Sequence, residues 1–415
     1  MQHIVIGAGP AGVTACEALR RLDPDCRISL IGDEPEPPYS RMAIPYLLVD
    51  HINEQGTYLR KTDNYYQDQR IDILQGTVIA VNPAQHTITL TQGDTLQYDR
   101  LLIATGASPI HLPIPGIDLP GVHTCWSLED ARAIVARATA GASVVLIGAG
   151  FIGCIIMEAL VERGVHLTVV EREDRMVPRM LDDVAGGLLK RWCESKGITV
   201  LTNCGVAGIE ASKTGLSVLL DNGHPLSANL VITATGVRSN NNFLAGSGIE
   251  CDQGILVNAY LESNQQDIFA AGDVAQGRDY SSGGYSVQAI QPTAVEHGRI
   301  AAANMITQKS VRHAGSLNMN ILDTLGLIST SFGQWMGGEE SDHAVLLDEG
   351  RYRYLSLQFE DDRLTGASSL GHTEHIGVLR GLIRSRVALG VWKQRLMQDP
   401  TRLMEAYLGS VQGMV

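Results

Sequence analysis

Aromatic side chains make up only 5% of the 415 residues, too few for the stacking surfaces that hold single-stranded nucleic acids. Positive charge is also short. Thirty-two Lys and Arg face 45 Asp and Glu, a net charge of −13, so neither nucleic acid nor an anionic membrane is attracted by the whole surface. No apolar run reaches the roughly 18 residues needed to span a bilayer. The chain opens MQHIVIGAG without a basic leader ahead of an apolar stretch, so a soluble, cytoplasmic protein is expected. Cys16, Cys26, Cys125, Cys154, Cys193, Cys204 and Cys251 are scattered, odd in number and without a CxxC pair. That argues against a disulfide framework, a zinc site or a cysteine-held iron–sulfur cluster, and no metal ligand is assigned.

Glycine, by contrast, is plentiful: 44 residues with no three-residue period, which excludes a collagen-like chain. Their positions reveal an internal repeat. A β-branched run at 3–6 enters Gly7-Ala8-Gly9-Pro10-Ala11-Gly12, and a helix is predicted over 13–22. A second run at 143–147 enters Gly148-Ala149-Gly150-Phe151-Ile152-Gly153, with a helix predicted over 154–163. β-rich runs follow at 27–34 and 166–173, and each half closes on a strand ending Ala104-Thr105-Gly106 or Ala234-Thr235-Gly236. Two copies of strand, glycine turn, helix and strand predict α/β architecture with parallel sheets. The proline-rich stretch 109–120 reads as a linker. A long helix is predicted near 291–307. From about 316 an alternating pattern, as in YRYLSLQF at 352–359, predicts an antiparallel sheet, with helices over 374–389 and 391–408.

The glycine spacing carries a physical requirement. The first glycine allows the tight turn, the second lets a pyrophosphate approach the backbone, and the third permits close helix–sheet packing. The helix N-terminus then offers free N–H groups and a positive dipole. Asp33 and Glu34 follow the second strand of the first copy and suit ribose hydroxyls. Glu171 closes the matching strand of the second copy, where a carboxylate accepts ribose hydroxyls and repels a 2′-phosphate, favouring NADH over NADPH. Arg172 and Arg175 nearby pull the other way, and a solvated strand-end charge is the plain alternative for Glu171. Gly272-Asp273 ends another apolar strand, and Gln291-Pro292-Thr293 starts the long helix with proline at its favoured first position.

In this order the motifs resemble the FAD-dependent pyridine nucleotide-disulfide oxidoreductases with two dinucleotide-binding domains, over essentially the whole chain. The segment Tyr39-Ser40-Arg41-Met42-Ala43-Ile44-Pro45-Tyr46 is similar to that of NADH oxidases, rubredoxin and ferredoxin reductases, and the flavoprotein part of nitrite reductase large subunits. The resemblance implies two Rossmann-like domains (three-layer ββα) and a C-terminal α+β interface domain. FAD would be bound by 1–112 and 241–315, NAD(P)H by 113–240, with 316–415 as the interface domain. Asp273 would hold the ribityl chain, and the helix after Pro292, with Gln291 and Thr293, would face the flavin pyrimidine. Arg41 would lie near the flavin, Val78 would join the FAD contacts, and Phe151 would cover the ring until nicotinamide displaces it. Electrons would pass from NADH to FAD and on to a separate protein such as rubredoxin or ferredoxin. A peroxide-forming NADH oxidase, a diaphorase subunit of a larger complex and an NAD(H)-sensing flavoprotein with little turnover stay open, as does a homodimer.

The departures from that family sharpen the reading. Met42 stands where thiol-dependent relatives place a redox cysteine, and no CxxxxC pair exists, so sulfur-based peroxidase or disulfide chemistry is disfavoured. Tyr46 and Ile155 replace a lysine–glutamate pair of ferredoxin-type reductases. Losing both partners strands no charge and leaves a more apolar hydride site. Cys154 reads as a small packing residue. His297 suits either a proton donor or a structural histidine. Residues 376–405 hold Arg380, Arg384, Arg386, Lys393, Arg395 and Arg402 against Asp399 and Glu405. That local reversal suits docking of an acidic iron–sulfur carrier, and a solvated face on amphipathic helices accounts for it equally well.

Overall fold

The computed structural model describes residues 1–338 and 341–411. The chain folds as two compact units, the first formed by Met1–Leu47, Ile52–Ser108 and Val237–Ser316. Its apolar runs pair into a five-stranded parallel sheet in the spatial order Ile268–Ala270, Arg100–Ile103, Gln2–Ile6, Arg27–Gly32, Ile71–Gln75. The central strands are buried almost throughout, as parallel sheets covered on both faces must be. The helices Pro10–Leu22 and Gln291–Ile306 pack against each other along their length. Gly298 makes this possible, since a Cβ there would sit 2.4 Å from the Ala11 carbonyl oxygen. A three-stranded antiparallel meander (Val78–Asn82, Thr87–Leu90, Thr95–Gln97) contributes Val78, Val81, Ile88 and Leu90 to the same core.

The second unit holds Leu48–His51, Pro109–Gly236 and the chain from 317. It repeats the plan. A parallel sheet runs Thr199–Leu201, His166–Val170, Ser143–Ile147, Leu230–Thr233, Val122–Thr124, with a meander of Val206–Ser212, Gly215–Leu220 and Pro225–Ala228. The proline-rich stretch is no free linker. Leu112, Ile114, Ile117 and Leu119 pack on the meander's core, and the Pro115 carbonyl accepts the Ile209 N–H at 2.8 Å. Gly116, at φ 80°, lies so close that a Cβ would meet the Ile209 carbonyl oxygen at 1.8 Å.

From residue 317 the expected antiparallel sheet forms in the order Met319–Thr324, Leu327–Gly333, Arg363–Leu370, Arg353–Glu360, Asp342–Asp348. Among the described residues three helices follow, Ile376–Ser385, Val391–Gln398 and Leu403–Val411, where two were expected. The break falls at Pro400: proline lacks the N–H and drives its predecessor Asp399 to an extended φ of −144°. This part has its own core around Phe332, Leu357 and Phe359, yet it is bound into the second unit. Trp192 Nε1 donates to the carbonyls of Thr324 and Leu325 at 3.1 and 3.2 Å, and Tyr354 OH donates to the Asp182 carboxylate. Among the described residues no helix is long and apolar enough to cross a membrane.

Gly298→Ala should therefore lower the unfolding free energy by about 1–3 kcal/mol through overpacking. Gly377→Ala, at an exposed helical position with no atom within 4 Å of the added Cβ, should be neutral or stabilising. Urea midpoints at unchanged slope check both.

Candidate functional site

The two glycine turns are built alike. At Gly7 (φ 109°) a Cβ would come 2.1 Å from the Ala104 carbonyl oxygen, and at Gly12 2.0 Å from that of Gly7. At Gly148 (φ 103°) the contact is Ala234 at 2.5 Å, and at Gly153 it is Gly148 at 2.2 Å. The middle glycines differ: nothing lies within 4 Å of a Cβ at Gly9 or Gly150. The outer glycines are thus required by the chain itself, and the middle ones border open space. Gly9 and Gly150 are also the N-caps of Pro10–Leu22 and Phe151–Glu162, with no side-chain cap. First-turn N–H groups without a capping side chain, at the positive end of a helix, fit a phosphate. A bound dinucleotide therefore fits both turns.

In the first unit, further sequence-predicted residues converge near this turn. Arg41 pairs with Glu34 at 2.6 Å, and the other Glu34 oxygen accepts from Tyr39 OH. Asp33 is exposed. Burial pushes the Asp273 carboxyl up to about 6, while the Arg41 charge draws it down. Ser40 Oγ donates to Gln291 Oε1 at 2.7 Å, tying this segment to the start of the long helix. There Thr293 is buried and Pro292 exposed. A cavity of about 220 Å³ opens beside Pro10 and Gln291. Thr105 Oγ1 donates to the Asn240 carbonyl at 2.7 Å, and Asn240 N donates to the Gly106 carbonyl at 2.9 Å, holding the Ala104-Thr105-Gly106 segment in place. Val78 is buried in the core, and Met42 and Tyr46 are about half exposed.

His297 lies on the long helix Gln291–Ile306. It is buried, and its Nδ1 accepts the Gly272 N–H at 3.4 Å. Since a backbone N–H only donates, the ring proton must sit on Nε2, facing Ser316 Oγ at 3.3 Å. Burial pulls its pKa down to about 3, so the ring is neutral and structural. It anchors the turn that carries Asp273.

In the second unit Glu171 is buried, and both its oxygens accept backbone N–H groups: Ala149 at 2.7 Å and Glu173 at 2.9 Å. The carboxylate therefore braces the glycine turn from within, a role the sequence reading missed. Each oxygen keeps a lone pair for a ribose hydroxyl. Arg172 is largely exposed and paired with Glu173 at 3.2 Å. Arg175 is committed to the Leu181 carbonyl and Asp174. Phe151 and Ile155, one helical turn apart, are both partly exposed, as is Ile152. Thr235 and Gly236 face the chain at Ile110, whose N–H donates to the Gly236 carbonyl at 2.9 Å.

Cys154 is fully buried and burial drives its thiol far up, so it packs. Six of the cysteines are buried and Cys251 is exposed. Scattered cysteines did not, however, preclude a ligand cluster: His3, Asp23 and Cys26 bring donor atoms within 4.8 Å of one another. In the basic run Arg380, Arg384 and Arg386 are exposed. Lys393 is pinned by Asp342 at 2.7 Å and by the Asp361 carbonyl, and Arg395 lies 4.4 Å over the Trp392 ring.

Residues 1–298 match the pyridine nucleotide-disulphide oxidoreductase family model. The NADH-dependent phenylglyoxylate dehydrogenase subunit epsilon of Aromatoleum evansii is 29% identical over 401 residues, covering 96% of this chain and 95% of that one. The ferredoxin–NAD(+) reductase component of the biphenyl dioxygenase system of Paraburkholderia xenovorans is 32% identical, over 73% and 74%. The chain spans about half, 51% and 47%, of two Bacillus subtilis relatives, an assimilatory nitrate reductase electron transfer subunit and a nitrite reductase. A crystallised putidaredoxin reductase–putidaredoxin complex shares the fold at a TM-score of 0.90 and 23% identity, covering 99% of this chain and 98% of that one.

The geometry separates folding from binding. Gly150→Ala, at an ordinary φ of −78° and in open space, should change stability by no more than about 1 kcal/mol while weakening dinucleotide binding at least tenfold. Gly153→Ala should instead destabilise the second unit by about 1–3 kcal/mol or more. Isothermal titration beside urea denaturation distinguishes the two outcomes.

Proposed function

The chain belongs to the pyridine nucleotide-disulphide oxidoreductase family, and from that premise we propose an NADH-dependent flavoprotein reductase with FAD in the first unit and NADH in the second. The observation that carries this reading is the duplicated glycine turn whose middle position alone is open to a ligand. Bound FAD supplies a hydride acceptor that can release its electrons to a one-electron carrier. The residues of this chain supply position and charge. Gly9 and the start of Pro10–Leu22 receive the FAD pyrophosphate. Glu34, held by Arg41 and Tyr39, takes adenosine ribose hydroxyls, and Asp273 takes the ribityl chain. Gly150 and the start of Phe151–Glu162 receive the NADH pyrophosphate. Glu171, fixed from within, prefers ribose hydroxyls to a 2′-phosphate.

The acceptor is a separate small redox protein of the rubredoxin or ferredoxin kind. The buried cysteines and the thioether of Met42 offer no sulfur relay. The exposed Arg380, Arg384 and Arg386 suit an acidic partner. A second reading, an electron-transfer subunit of a larger dehydrogenase, is favoured by one observation: the end-to-end match to the phenylglyoxylate dehydrogenase subunit.

Purified protein should carry a flavin that NADH reduces at least tenfold more efficiently than NADPH does, and equal efficiency would overturn the Glu171 assignment. Flux to rubredoxin or ferredoxin should exceed flux to oxygen. Peroxide as the main product would favour an oxidase, and negligible flux to every acceptor a sensor or an incomplete assembly. The pair Arg380→Glu and Arg384→Glu should raise the acceptor KM several-fold and flatten its salt dependence, with ferricyanide reduction unchanged.

A further inference from the structure

We propose that His3, Asp23 and Cys26 form a site for one zinc-type divalent cation at the floor of the first unit, the end of its sheet opposite the glycine turn. The fold assembles the trio from both ends of one helix–turn–strand connection. Helix Pro10–Leu22 is capped at Asp23, and the chain turns through Cys26 into Arg27–Gly32. That strand runs parallel to Gln2–Ile6, with His3 opposite Ile28. The donor atoms, an imidazole nitrogen, a thiol sulfur and a carboxylate oxygen, lie within 4.8 Å of one another.

The imidazole is the anomaly that asks for a ligand. His3 is 0% exposed and neither ring nitrogen has a hydrogen-bond partner. A polar group left unpaired in an apolar interior has given up its hydration without a replacement. A cation on one nitrogen would satisfy it and leave only the other without a partner.

The turn is rigid without any metal. The buried Arg20 guanidinium donates to the carbonyls of Pro24, Cys26, Gln69 and Arg70 at 2.6–2.8 Å. Its Nη1 also lies 3.8 Å from Cys26 Sγ, and the thiol donates to the Asp23 carbonyl at 3.1 Å. Mixed nitrogen, sulfur and oxygen donors suit zinc and exclude calcium or magnesium, which take oxygen. Tetrahedral zinc with bonds of about 2.0–2.3 Å sets its ligand atoms roughly 3.3–3.8 Å apart, so closure needs about 1 Å of side-chain movement. Asp23 is half-buried, which leaves an entry path and a fourth position for water. On binding, the cation forms bonds to nitrogen, sulfur and oxygen, and the Cys26 thiol releases one proton to solvent; nothing is oxidised or reduced. The ion would clip the first strand to the end of the first helix, a structural role remote from the cofactor.

The test uses flavin-loaded protein stripped of metal by chelator and titrated with cobalt(II), then zinc(II). One equivalent of cobalt should give tetrahedral d–d absorption beyond the flavin bands, displaced by zinc, and zinc should raise the melting temperature. Cys26→Ser and Asp23→Asn should each lower affinity at least tenfold, whereas Cys251→Ser, which alters the exposed thiol, should not. His3→Gln is the third arm; should it fail to fold, the other two still decide. No stoichiometric zinc in native mass spectra at tenfold excess, or tight binding that survives Cys26→Ser, would overturn the site.

Discussion

The contact on which the rest of this structure depends is a strand-end carbonyl set against a bare glycine α-carbon, Ala104 on Gly7 and Ala234 on Gly148. With the two backbones so close, the glycine must take a φ above 100°, and the turn can lead only one way into the helix. The same turn is pinned on its other side, where Gly7 N–H and Gly148 N–H donate to the carbonyls of Ile31 and Val170 at 2.7 and 2.8 Å. Three neighbouring strands thereby fix the direction of each helix N-terminus. The dipole and free N–H groups that would receive a phosphate follow from that backbone geometry.

Glu34 and Glu171, beside the two turns, obey one rule. Each is already held by donors of the protein before a ligand arrives: Glu34 by Arg41 and Tyr39, Glu171 by the Ala149 and Glu173 N–H groups. A carboxylate fixed in this way loses little conformational entropy on meeting a ribose and keeps lone pairs for it. Asp273 differs. Burial lifts its pKa to about 6 against the pull of Arg41, so its ionised form is strained in the folded chain. Stability from this group is fully present below its unfolded value of 3.8 and is lost as pH rises through about 6. A hydrogen-bonding ribityl hydroxyl would relieve that strain.

What the sequence made legible was the part governed by local sterics at fixed spacing. Both glycine turns, the strands entering them and the helix from Gln291 stand where their residues predicted. The meanders at 78–97 and 206–228 escaped notice because short antiparallel strands depend on pairing partners, not on local pattern. The stretch 109–120 begins where the first unit gives way to the second, as its prolines suggest, but the packing of Leu112, Ile114, Ile117 and Leu119 on the core depends on partners distant in sequence. The break at Pro400 was visible in principle. The bracing role of Glu171 was not, since a carboxylate bonded to a turn 22 residues away looks like any other strand-end acid. The attachment of the C-terminal sheet through Trp192 likewise rests on long-range contacts.

The proposed acceptor docking turns on a contest of ranges. The chain as a whole carries −13 and repels an acidic carrier, while Arg380, Arg384 and Arg386 attract it. At physiological ionic strength charges more than about 8 Å apart are largely screened from each other. The approaching carrier then feels the patch nearest to it more than the distant acids. Lys393 and Arg395 add less than their charge suggests, because Asp342 neutralises one and the Trp392 ring occupies a face of the other. Arg380, Arg384 and Arg386 stand exposed around the end of Ile376–Ser385. Six of the cysteines are buried, so in the proposed reductase selectivity for the acceptor rests on such surface charge and not on a thiol relay.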